Sequence, residues 1–463
     1  MTALTDRVDA GVSDEELDAL TVQVRREWGS ELPVPIRNET GEERQERREA
    51  TQHVLFEVLL PRLNRERLAA KEPALRTTDE DALVGRVLAG MFGLVTLLEE
   101  LRDPDLEDVV VNGADAVLLL FADGRSETRP PLVARDRDLE RVIYDVAVEH
   151  ARPFNFEQWS VDLELEPGLR FHAAGFDLVD RPYIRLRRAR VMDATLDDMY
   201  AWGTLDDGVR RFLRAAVKAA LKIGFTGPIG SGKTQTLRAA VADIPAEAII
   251  ATIESSWELA IRRLGRHRWV TAYQERIPVT GQGRRVGAGD LVVAAARSRA
   301  DYLIVGEARS DEMAAALQVA SLGQGTMFTV HGFSAVDGLE HAADLMMHHN
   351  GYELGLARRQ VYKTVDVMVC VDRTTDGRFV AEVVAPFVLN DGDQVGTHVL
   401  FAPDPHAPDG RARPVGNGPQ QWMLERLRRA DPTFDLSPWI GRADTYQPLQ
   451  RHVHVHPRRN VML

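Results

Sequence analysis

The segment Gly227-Pro-Ile-Gly-Ser-Gly-Lys233-Thr234 decides the fold of this chain. It fits the pattern G-x-x-x-x-G-K-[ST], in which a glycine-rich loop joins a strand to a helix. The apolar run Leu221–Phe225 before it predicts a buried strand, and Gln235–Ala242 after it predicts a helix rich in Ala and Leu. Because backbone N–H groups at the start of a helix attract anions, the segment predicts a loop that binds the phosphates of a nucleoside triphosphate.

The loop residues have distinct expected tasks. Lys233 would reach the β- and γ-phosphates, and the hydroxyl of Thr234 would bind Mg²⁺. The cofactors that follow from the loop are a nucleoside triphosphate and Mg²⁺. The residues expected to bind the nucleotide are Gly227, Pro228, Ile229, Gly230, Ser231, Gly232, Lys233, Thr234 and Gln235.

Composition limits the class of protein. With 463 residues the chain should form two or three domains, and 44% hydrophobic with 27% charged residues is typical of a soluble globular protein. A net charge of −13 argues against a general affinity for nucleic acid. The single cysteine, Cys370, excludes a disulfide framework and fits a reducing cytoplasm, where its apolar surroundings predict a buried core thiol. No apolar run reaches the ~18 residues of a membrane span, so any membrane role would require a partner.

The texture of the sequence changes several times along the chain, which predicts five segments. Strand-like runs at Val109–Asn112, Ala116–Phe121 and Val161–Leu165 indicate a small α+β domain, whereas strands and helices alternate later as in a doubly wound α/β sheet. The five segments are a charged helical N-terminal extension (1–80), the α+β domain (81–192), a linker (193–208), an α/β domain that contains the P-loop (209–390) and a Pro/Gly-rich C-terminal appendage (391–463).

Secondary-structure elements are predicted for the last two segments. In the C-terminal appendage, beyond Leu389, the stretch Ala402–Gln420 is interpreted as a loop. The other predicted elements lie in the segment 209–390. The expected strands are Leu221–Thr226, Ala248–Glu254, Tyr302–Gly306 and Thr326–Val330, with helices at Leu291–Arg297 and Glu312–Leu322 and a hairpin of Val365–Asp372 with Phe379–Phe387.

A second nucleotide signal follows the loop. Asp301-Tyr-Leu-Ile-Val-Gly-Glu307 is an apolar strand that delivers a carboxylate at its end, as a Walker B element does. At a sheet edge beside the phosphates, Glu307 would hold Mg²⁺ directly or through water, or polarise the attacking water. An acid after a strand is often only a helix cap, but its pairing with the loop makes the nucleotide interpretation strong.

With these two elements the chain resembles the type II/type IV secretion ATPases, and most of all the CpaF/TadA-type motors of tight-adherence pili. Two further motifs of that family follow its order: an Asp box at Thr252-Ile-Glu-Ser-Ser-Trp-Glu-Leu259 and a His box at Gly325-Thr-Met-Phe-Thr-Val-His-Gly332. Weaker matches are Val110–Gly113, Gly168–Ala173 and Ile184–Arg187. The resemblance spans about Leu83 to Val388 and implies a RecA-like P-loop NTPase domain after the α+β domain.

The resemblance also implies roles. Glu254, at the end of a strand, corresponds to the family's catalytic base, and His331 would sense the γ-phosphate or couple it to the next subunit. Glu307, Lys233 and Arg309 complete the expected catalytic set. Phosphoryl transfer also needs guanidinium groups that stabilise the transferred group, in the same subunit or across subunits. The candidates for this role are Arg170, Arg185, Arg187, Arg297 and Arg299.

The chain departs from the family pattern in the boxes. Ser255 replaces the second acid of the Asp box, which removes one Mg²⁺ or water ligand. Gly332 replaces the usual Ala and is expected mostly to loosen the turn. Near the C-terminus His452, His454 and His456 alternate as metal ligands would on a strand, but a polar tail is the simpler interpretation.

These observations leave three functions open. The first is a cytoplasmic, homohexameric ATPase that powers pilus assembly or protein secretion through an inner-membrane platform protein. The ATPase would be peripheral to the membrane and held there by that partner. The second is a catalytically weak ATP-binding scaffold, which Ser255 favours and the retained Glu254, Glu307 and Lys233 oppose. The third is a nucleic-acid translocase, which the acidic balance disfavours.

Overall fold

The structure is a computed structural model with two compact units. The described residues are 12–33, 41–101, 103–166, 168–189, 191–255, 257–276, 284, 286–309, 311–374, 377–389, 394–404, 409–416 and 418–435. One unit comprises Met1–Arg190 with Pro278–Gly283, and the other Val191–Ile277 with Arg284–Leu463.

Four helices begin the first unit: α1 (Asp14–Trp28), α2 (Gly41–Val54), α3 (Leu60–Ala69) and α4 (Thr77–Glu100), with a π-helical turn, Leu55–Leu59, between α2 and α3. The side chain of Ser13 caps α1 by accepting a hydrogen bond from the N–H of Glu16. Leu17, Trp28 and Leu63 share a buried core with Val87 of α4. The predicted boundary at residue 80 is therefore wrong, because it cuts α4 and separates residues that bury one another.

An antiparallel sheet completes the first unit. Its elements are β1 (Leu106–Asn112), β2 (Ala116–Phe121), β3 (Ser126–Arg129), α5 (Asp136–Glu149), β4 (Ser160–Glu166), β5 (Leu169–Ala174) and β6 (Tyr183–Arg188), with strand order β3-β2-β1-β6-β5-β4. One face buries Val109, Phe171 and Leu186 with Ile143 of α5. This arrangement is the α+β architecture that the alternating strand-like runs predicted.

The second unit contains a nine-stranded sheet. Its elements are α6 (Leu196–Ala201), α7 (Asp207–Lys218), β7 (Lys222–Thr226), α8 (Lys233–Val241), β8 (Ile249–Glu254), β9 (Trp269–Gln274), α9 (Ala288–Ala296), β10 (Tyr302–Val305), α10 (Glu312–Ser321), β11 (Gly325–Thr329), α11 (Ala335–Asn350), α12 (Leu354–Thr364), β12 (Val367–Thr374), β13 (Gly377–Leu389), β14 (Gln394–Pro403), β15 (Ala412–Pro414) and α13 (Gln421–Ala430).

The strand order of this sheet is β15-β14-β13-β12-β7-β11-β10-β8-β9, and the strands from β12 to β9 run parallel. Numbered along the chain, β7, β8, β10, β11 and β12 lie in the order 5-1-4-3-2. This is a RecA-like α/β sheet. Every residue of Tyr302–Val305 is buried, as expected for a parallel strand covered on both faces.

Two predicted segments do not exist as such. The linker 193–208 contains α6, whose Leu196 and Met199 are buried in the core of the sheet. The appendage continues that sheet with β14 and β15, and α13 buries Met423 and Leu427 in the same core. The predicted loop at Ala402–Gln420 is therefore wrong in part, because the end of β14 pairs with β15 and gives this Gly- and Pro-rich stretch backbone partners that its composition does not indicate.

The predicted hairpin of β12 and β13 is confirmed by their antiparallel pairing. Cys370 of β12 is buried, as predicted. Over the described ranges, no helix is both long enough and apolar enough to cross a bilayer.

Candidate active site

Four strands bring the sequence signals together at one edge of the sheet. The neighbouring parallel strands β7, β11, β10 and β8 point the same way. Their carboxyl ends lead into the glycine-rich loop, His331, Glu307 and Glu254 respectively. Ligands bind at this end of the strands in open α/β sheets, so the four signals form one candidate site.

The loop between β7 and α8 depends on glycine. Gly227 (φ +150°), Gly230 (φ +77°) and Gly232 (φ +100°) adopt positive φ values, and a Cβ at Gly227 would lie 2.0 Å from the carbonyl oxygen of Val371. Ile229 exposes 74% of its surface, so its side chain is not packed against the loop. A loop with this backbone at the start of α8 fits a phosphate group.

Lys233 and His331 connect the loop to the Walker B strand. The Nζ of Lys233 donates hydrogen bonds to the carbonyl oxygens of Gly227 (2.8 Å) and Pro228 (3.1 Å), and it lies 3.4 Å from Nδ1 of His331. The Nε2 of His331 lies 2.7 Å from Oε1 of Glu307. A neutral imidazole with its proton on Nε2 satisfies both contacts, since Nε2–H donates to Glu307 and Nδ1 accepts from Lys233.

Burial and neighbouring charges set the protonation of this group. Burial lowers the pKa of His331, and the ammonium of Lys233 lowers it further against the opposing effect of Glu307. Burial also lowers the pKa of Lys233. Burial alone would raise the pKa of Glu307, but its hydrogen bond and charge interaction with Arg309, together with His331, lower it overall. Glu307 is thus an anion held between two cation-capable side chains.

Arg309 lies beside Glu307 with 62% of its side chain exposed, and the two groups form a short ion pair. Of the predicted catalytic residues, Lys233, His331, Glu307 and Arg309 therefore form one continuous chain of polar contacts. Thr329 ties the same region together, because its hydroxyl donates to the carbonyl of Gly306 at 2.7 Å.

Glu254 lies at the end of β8, next to Gly306. A Cβ at Gly306 would lie 3.4 Å from Cγ of Glu254, which shows how closely the two strands approach. Glu254 is only 5% exposed, and its Oε1 accepts hydrogen bonds from the N–H groups of Glu258 (2.7 Å) and Leu259 (2.5 Å). The Asp-box backbone thus fixes this carboxylate at the same sheet edge as the loop.

The remaining loop and box residues have clear positions. Thr234 lies in the first turn of α8, half-buried, and the side-chain amide oxygen of Gln235 accepts a short hydrogen bond from the guanidinium of Arg238. Ser255 is exposed. The expectation for Gly332 is wrong: a Cβ there would lie 2.6 Å from Oγ1 of Thr226 and 2.8 Å from the nitrogen of Gly338. Close backbone packing, rather than a looser turn, accounts for glycine at this position.

The five candidate arginines lie in two different parts of the structure. Arg297 ends α9 and Arg299 precedes β10, so both lie toward the amino end of that strand, at the opposite edge of the sheet from the loop. Within the subunit they do not join the site, which corrects that part of the expectation. Arg170, Arg185 and Arg187 lie in the first unit, where Arg170 is opposite Arg187 across the β5–β6 pair. They alternate with buried residues and so share the face turned away from that core.

Sequence reasoning missed the contribution of the β12–β13 hairpin. Arg378 donates from Nε to the carbonyl of Gly230 at 2.9 Å, and Arg373 approaches the same glycine. Glu382 is buried and accepts a hydrogen bond from the N–H of Ala335 at 2.9 Å, just after the His box. The period-two pattern predicted the hairpin, but only the pairing of β12 with β7 places it beside the loop.

The metal expectation for the C-terminal histidines lies outside the described residues. Among the residues that are described, no group of three or more His, Cys, Asp or Glu side chains is arranged to hold a metal ion.

Comparisons with known proteins agree with these motifs. Residues 161–375 match the family Type II/IV secretion system protein. The type IV secretion system protein PtlH of Bordetella pertussis is 31% identical over 180 residues, which cover 38% of this chain and 51% of PtlH. VirB11 of Rhizobium radiobacter is 32% identical over 152 residues, which cover 32% of this chain and 43% of VirB11. The chain spans about half the length of the curated relatives it matches.

Among solved structures, the Legionella pneumophila ATPase DotB is similar with a TM-score of 0.48 and 19% identity, over 63% of this chain and 80% of that one.

Proposed function

We propose that this chain is a type II/IV secretion ATPase, an ATP-hydrolysing ring motor that powers pilus assembly or protein secretion; the match of residues 161–375 to the family Type II/IV secretion system protein supports this. The observation that carries this proposal is the convergence of Lys233, Glu254, Glu307 and His331 at the carboxyl ends of four neighbouring strands. Any one of these signals alone would be compatible with an ordinary structural role. Four at one edge match the demands of phosphoryl transfer, which needs positioning and charge stabilisation.

In the proposed reaction Lys233 stabilises the charge on the β- and γ-phosphates. Its ammonium already lies on the loop, held by the carbonyls of Gly227 and Pro228, so little rearrangement is needed to reach a bound phosphate. The loop N–H groups and the start of α8 add positive potential at the same place.

Glu254 is the proposed general base that orients and deprotonates the attacking water. Two backbone N–H groups fix its carboxylate, so it can hold one direction throughout the reaction. Glu307 is the alternative acid, but the ion pair with Arg309 and the hydrogen bond from His331 stabilise it as an anion and reduce its basicity. We therefore assign proton abstraction to Glu254 and charge positioning to Glu307.

Thr234 and Glu307 are the residues that would hold Mg²⁺. A hydroxyl at the start of α8 and a carboxylate after β10 supply oxygen donors, which suit this hard cation. When bound, the ion would neutralise charge on the β- and γ-oxygens. His331 contacts both Lys233 of the loop and Glu307 after β10. A change at the γ-phosphate would therefore be transmitted through His331 between the loop and the end of β10.

The arginines of the first unit extend the proposal to a moving assembly. Arg170, Arg185 and Arg187 would close on the γ-phosphate when the units clamp, and Arg297 and Arg299 would act on a neighbouring subunit. A homohexameric ring satisfies such contacts between subunits. We further propose that the motor is of the CpaF/TadA type. It would lie in the cytoplasm at the membrane and bind an inner-membrane platform protein.

The proposal is tested by measuring Mg²⁺-dependent ATP hydrolysis per subunit as protein concentration rises, with Lys233→Ala as the blank. A ring with shared sites predicts a rate per subunit that climbs with concentration and is absent in the variant. ATP binding with turnover no greater than the blank would instead support the weak scaffold that Ser255 favours. Stimulation of the rate by DNA would support a nucleic-acid translocase.

A further inference from the structure

The β12–β13 hairpin carries two arginines to positions beside the phosphate-binding loop. β12 pairs directly with β7, with Cys370 opposite Thr226, the residue before the loop. β12 then continues to Thr374, so the hairpin runs past the edge of the sheet where the loop begins. Its last residues therefore lie alongside the loop.

Both arginines contact the same part of the loop. Nε of Arg378 donates to the carbonyl of Gly230 at 2.9 Å, and Cδ of Arg378 lies 3.3 Å from where a Cβ on Gly232 would be. Nη1 of Arg373 lies 2.7 Å from the corresponding position on Gly230. The missing side chains of two loop glycines thus leave the space that the two arginines occupy.

The pairing of these arginines is unfavourable by itself. Arg373 and Arg378 are directly opposite each other across the hairpin, and like charges in that arrangement destabilise a strand pair. Among the described residues no ion pair joins either guanidinium to a carboxylate, and Asp372 accepts its hydrogen bond from the backbone N–H of Arg373. Two cations held together at a loop that fits phosphate point to an anion as their common partner.

We propose that Arg373 and Arg378 form a second cationic wall of the phosphate site and bind the phosphate chain of the nucleotide held by the loop 227–234. The inference rests on the proposed nucleotide-binding function and adds two residues to it. Arg378 would act from its bond to Gly230, which orients the guanidinium, and Arg373 would approach from the opposite strand. Guanidinium groups suit this role because they present several N–H donors to phosphate oxygens in a fixed plane.

The test is nucleotide binding by the full chain, measured by calorimetry for ATP, ADP and adenosine at several salt concentrations. The variants are Arg373→Gln, Arg378→Gln and their combination. Arg211→Gln is the matched control, because it removes the same charge from an exposed position on α7 that pairs with Asp207. We expect each single variant to weaken ATP and ADP about 10- to 100-fold, since a charge-assisted hydrogen bond is lost, and to leave adenosine unchanged. The salt dependence of binding should also become shallower in the double variant.

Each outcome is decisive. Equal ATP affinity in the double variant and the wild type would overturn the inference while leaving the proposed function intact. A second contrary result is that Arg378→Gln alone binds ATP and adenosine equally more weakly and has a lower melting temperature. This result would show that Arg378 only supports the loop, and it would also overturn the inference. A wild type that binds no ATP would instead overturn the proposed function itself.

Discussion

Replacing Gly332 with Ala should disturb both the stability of the second unit and the ATP hydrolysis proposed for it. The residue follows His331, which bridges Lys233 and Glu307. An added Cβ would lie 2.6 Å from Oγ1 of Thr226, and 2.8 Å and 3.0 Å from the nitrogen and Cα of Gly338, where ordinary contacts begin at 3.4 Å. Two of these three atoms belong to backbone, so relief requires the backbone at Gly332 to move by several tenths of an ångström.

The size of the effect follows from that overlap. Overpacking a close-packed interior costs about 1–3 kcal/mol in the free energy of unfolding. The same movement would lengthen the 2.7 Å contact between His331 and Glu307 and misplace catalytic groups, for which we expect a fall in kcat of about tenfold or more. Removing the nearest atom with Thr226→Ala should recover only part of the loss, because Gly338 remains in place.

Urea unfolding and steady-state phosphate release on the purified full chain measure the two effects. The matched control is Gly85→Ala in α4, where no atom lies within 4 Å of the added Cβ and the helix should gain about 0.5–1 kcal/mol. A Gly332→Ala protein with the urea midpoint and kcat of the wild type would refute the inference that close packing requires glycine here. It would mean that the chain accommodates the alanine usual in the family.

Four further predictions test other parts of the site. Lys233→Ala should weaken ATP binding about 10- to 100-fold in calorimetry, because a charged partner of the phosphates is lost, and unchanged affinity would contradict its role. Glu254→Gln should fold normally, because its amide oxygen can still accept the two backbone hydrogen bonds, but should lower kcat about 10²- to 10⁴-fold; a kcat near that of the wild type would exclude it as the base. The pKa of His331 in the folded chain lies below its ordinary value of 6.5, so the unfolded chain binds more protons. The free energy of unfolding measured in urea should therefore fall as pH decreases below about 6.5, and His331→Gln should remove this contribution. Cys370 is buried with a raised pKa, so a thiol reagent should modify it only on unfolding, and ATP at 100 times its Kd should slow that reaction about 100-fold; rapid modification of the folded chain would contradict its burial.

The parallel core was predictable because its strands are short runs of mostly apolar residues. Tyr302–Val305 was expected within one residue, and β7, β8 and β11 similarly, since burial on both faces leaves few polar residues to obscure the pattern. Once these strands are parallel neighbours, the residues that follow them must meet at one edge. The grouping of Glu254, Glu307 and His331 with the loop was therefore within reach of the sequence.

What the sequence did not indicate depends on contacts between distant segments. The strand Gln394–Pro403 exists because it pairs with β13, and Leu196 and Met199 are buried only because α6 packs on the sheet. Likewise, Arg373 and Arg378 reach the loop through the register of the hairpin against β7. Local composition carries no signal for such pairings, because its polar and apolar periods describe one segment at a time.

The most direct test of the account compares phosphate release and ATP binding on the same preparations of wild type, Lys233→Ala and Glu254→Gln. The account predicts that the wild type binds and hydrolyses MgATP, that Lys233→Ala binds ATP about 10- to 100-fold more weakly, and that Glu254→Gln binds ATP with wild-type affinity but releases phosphate at least about 100-fold more slowly. Hydrolysis that is equal in all three proteins would contradict an active site at the carboxyl ends of β7, β8, β10 and β11.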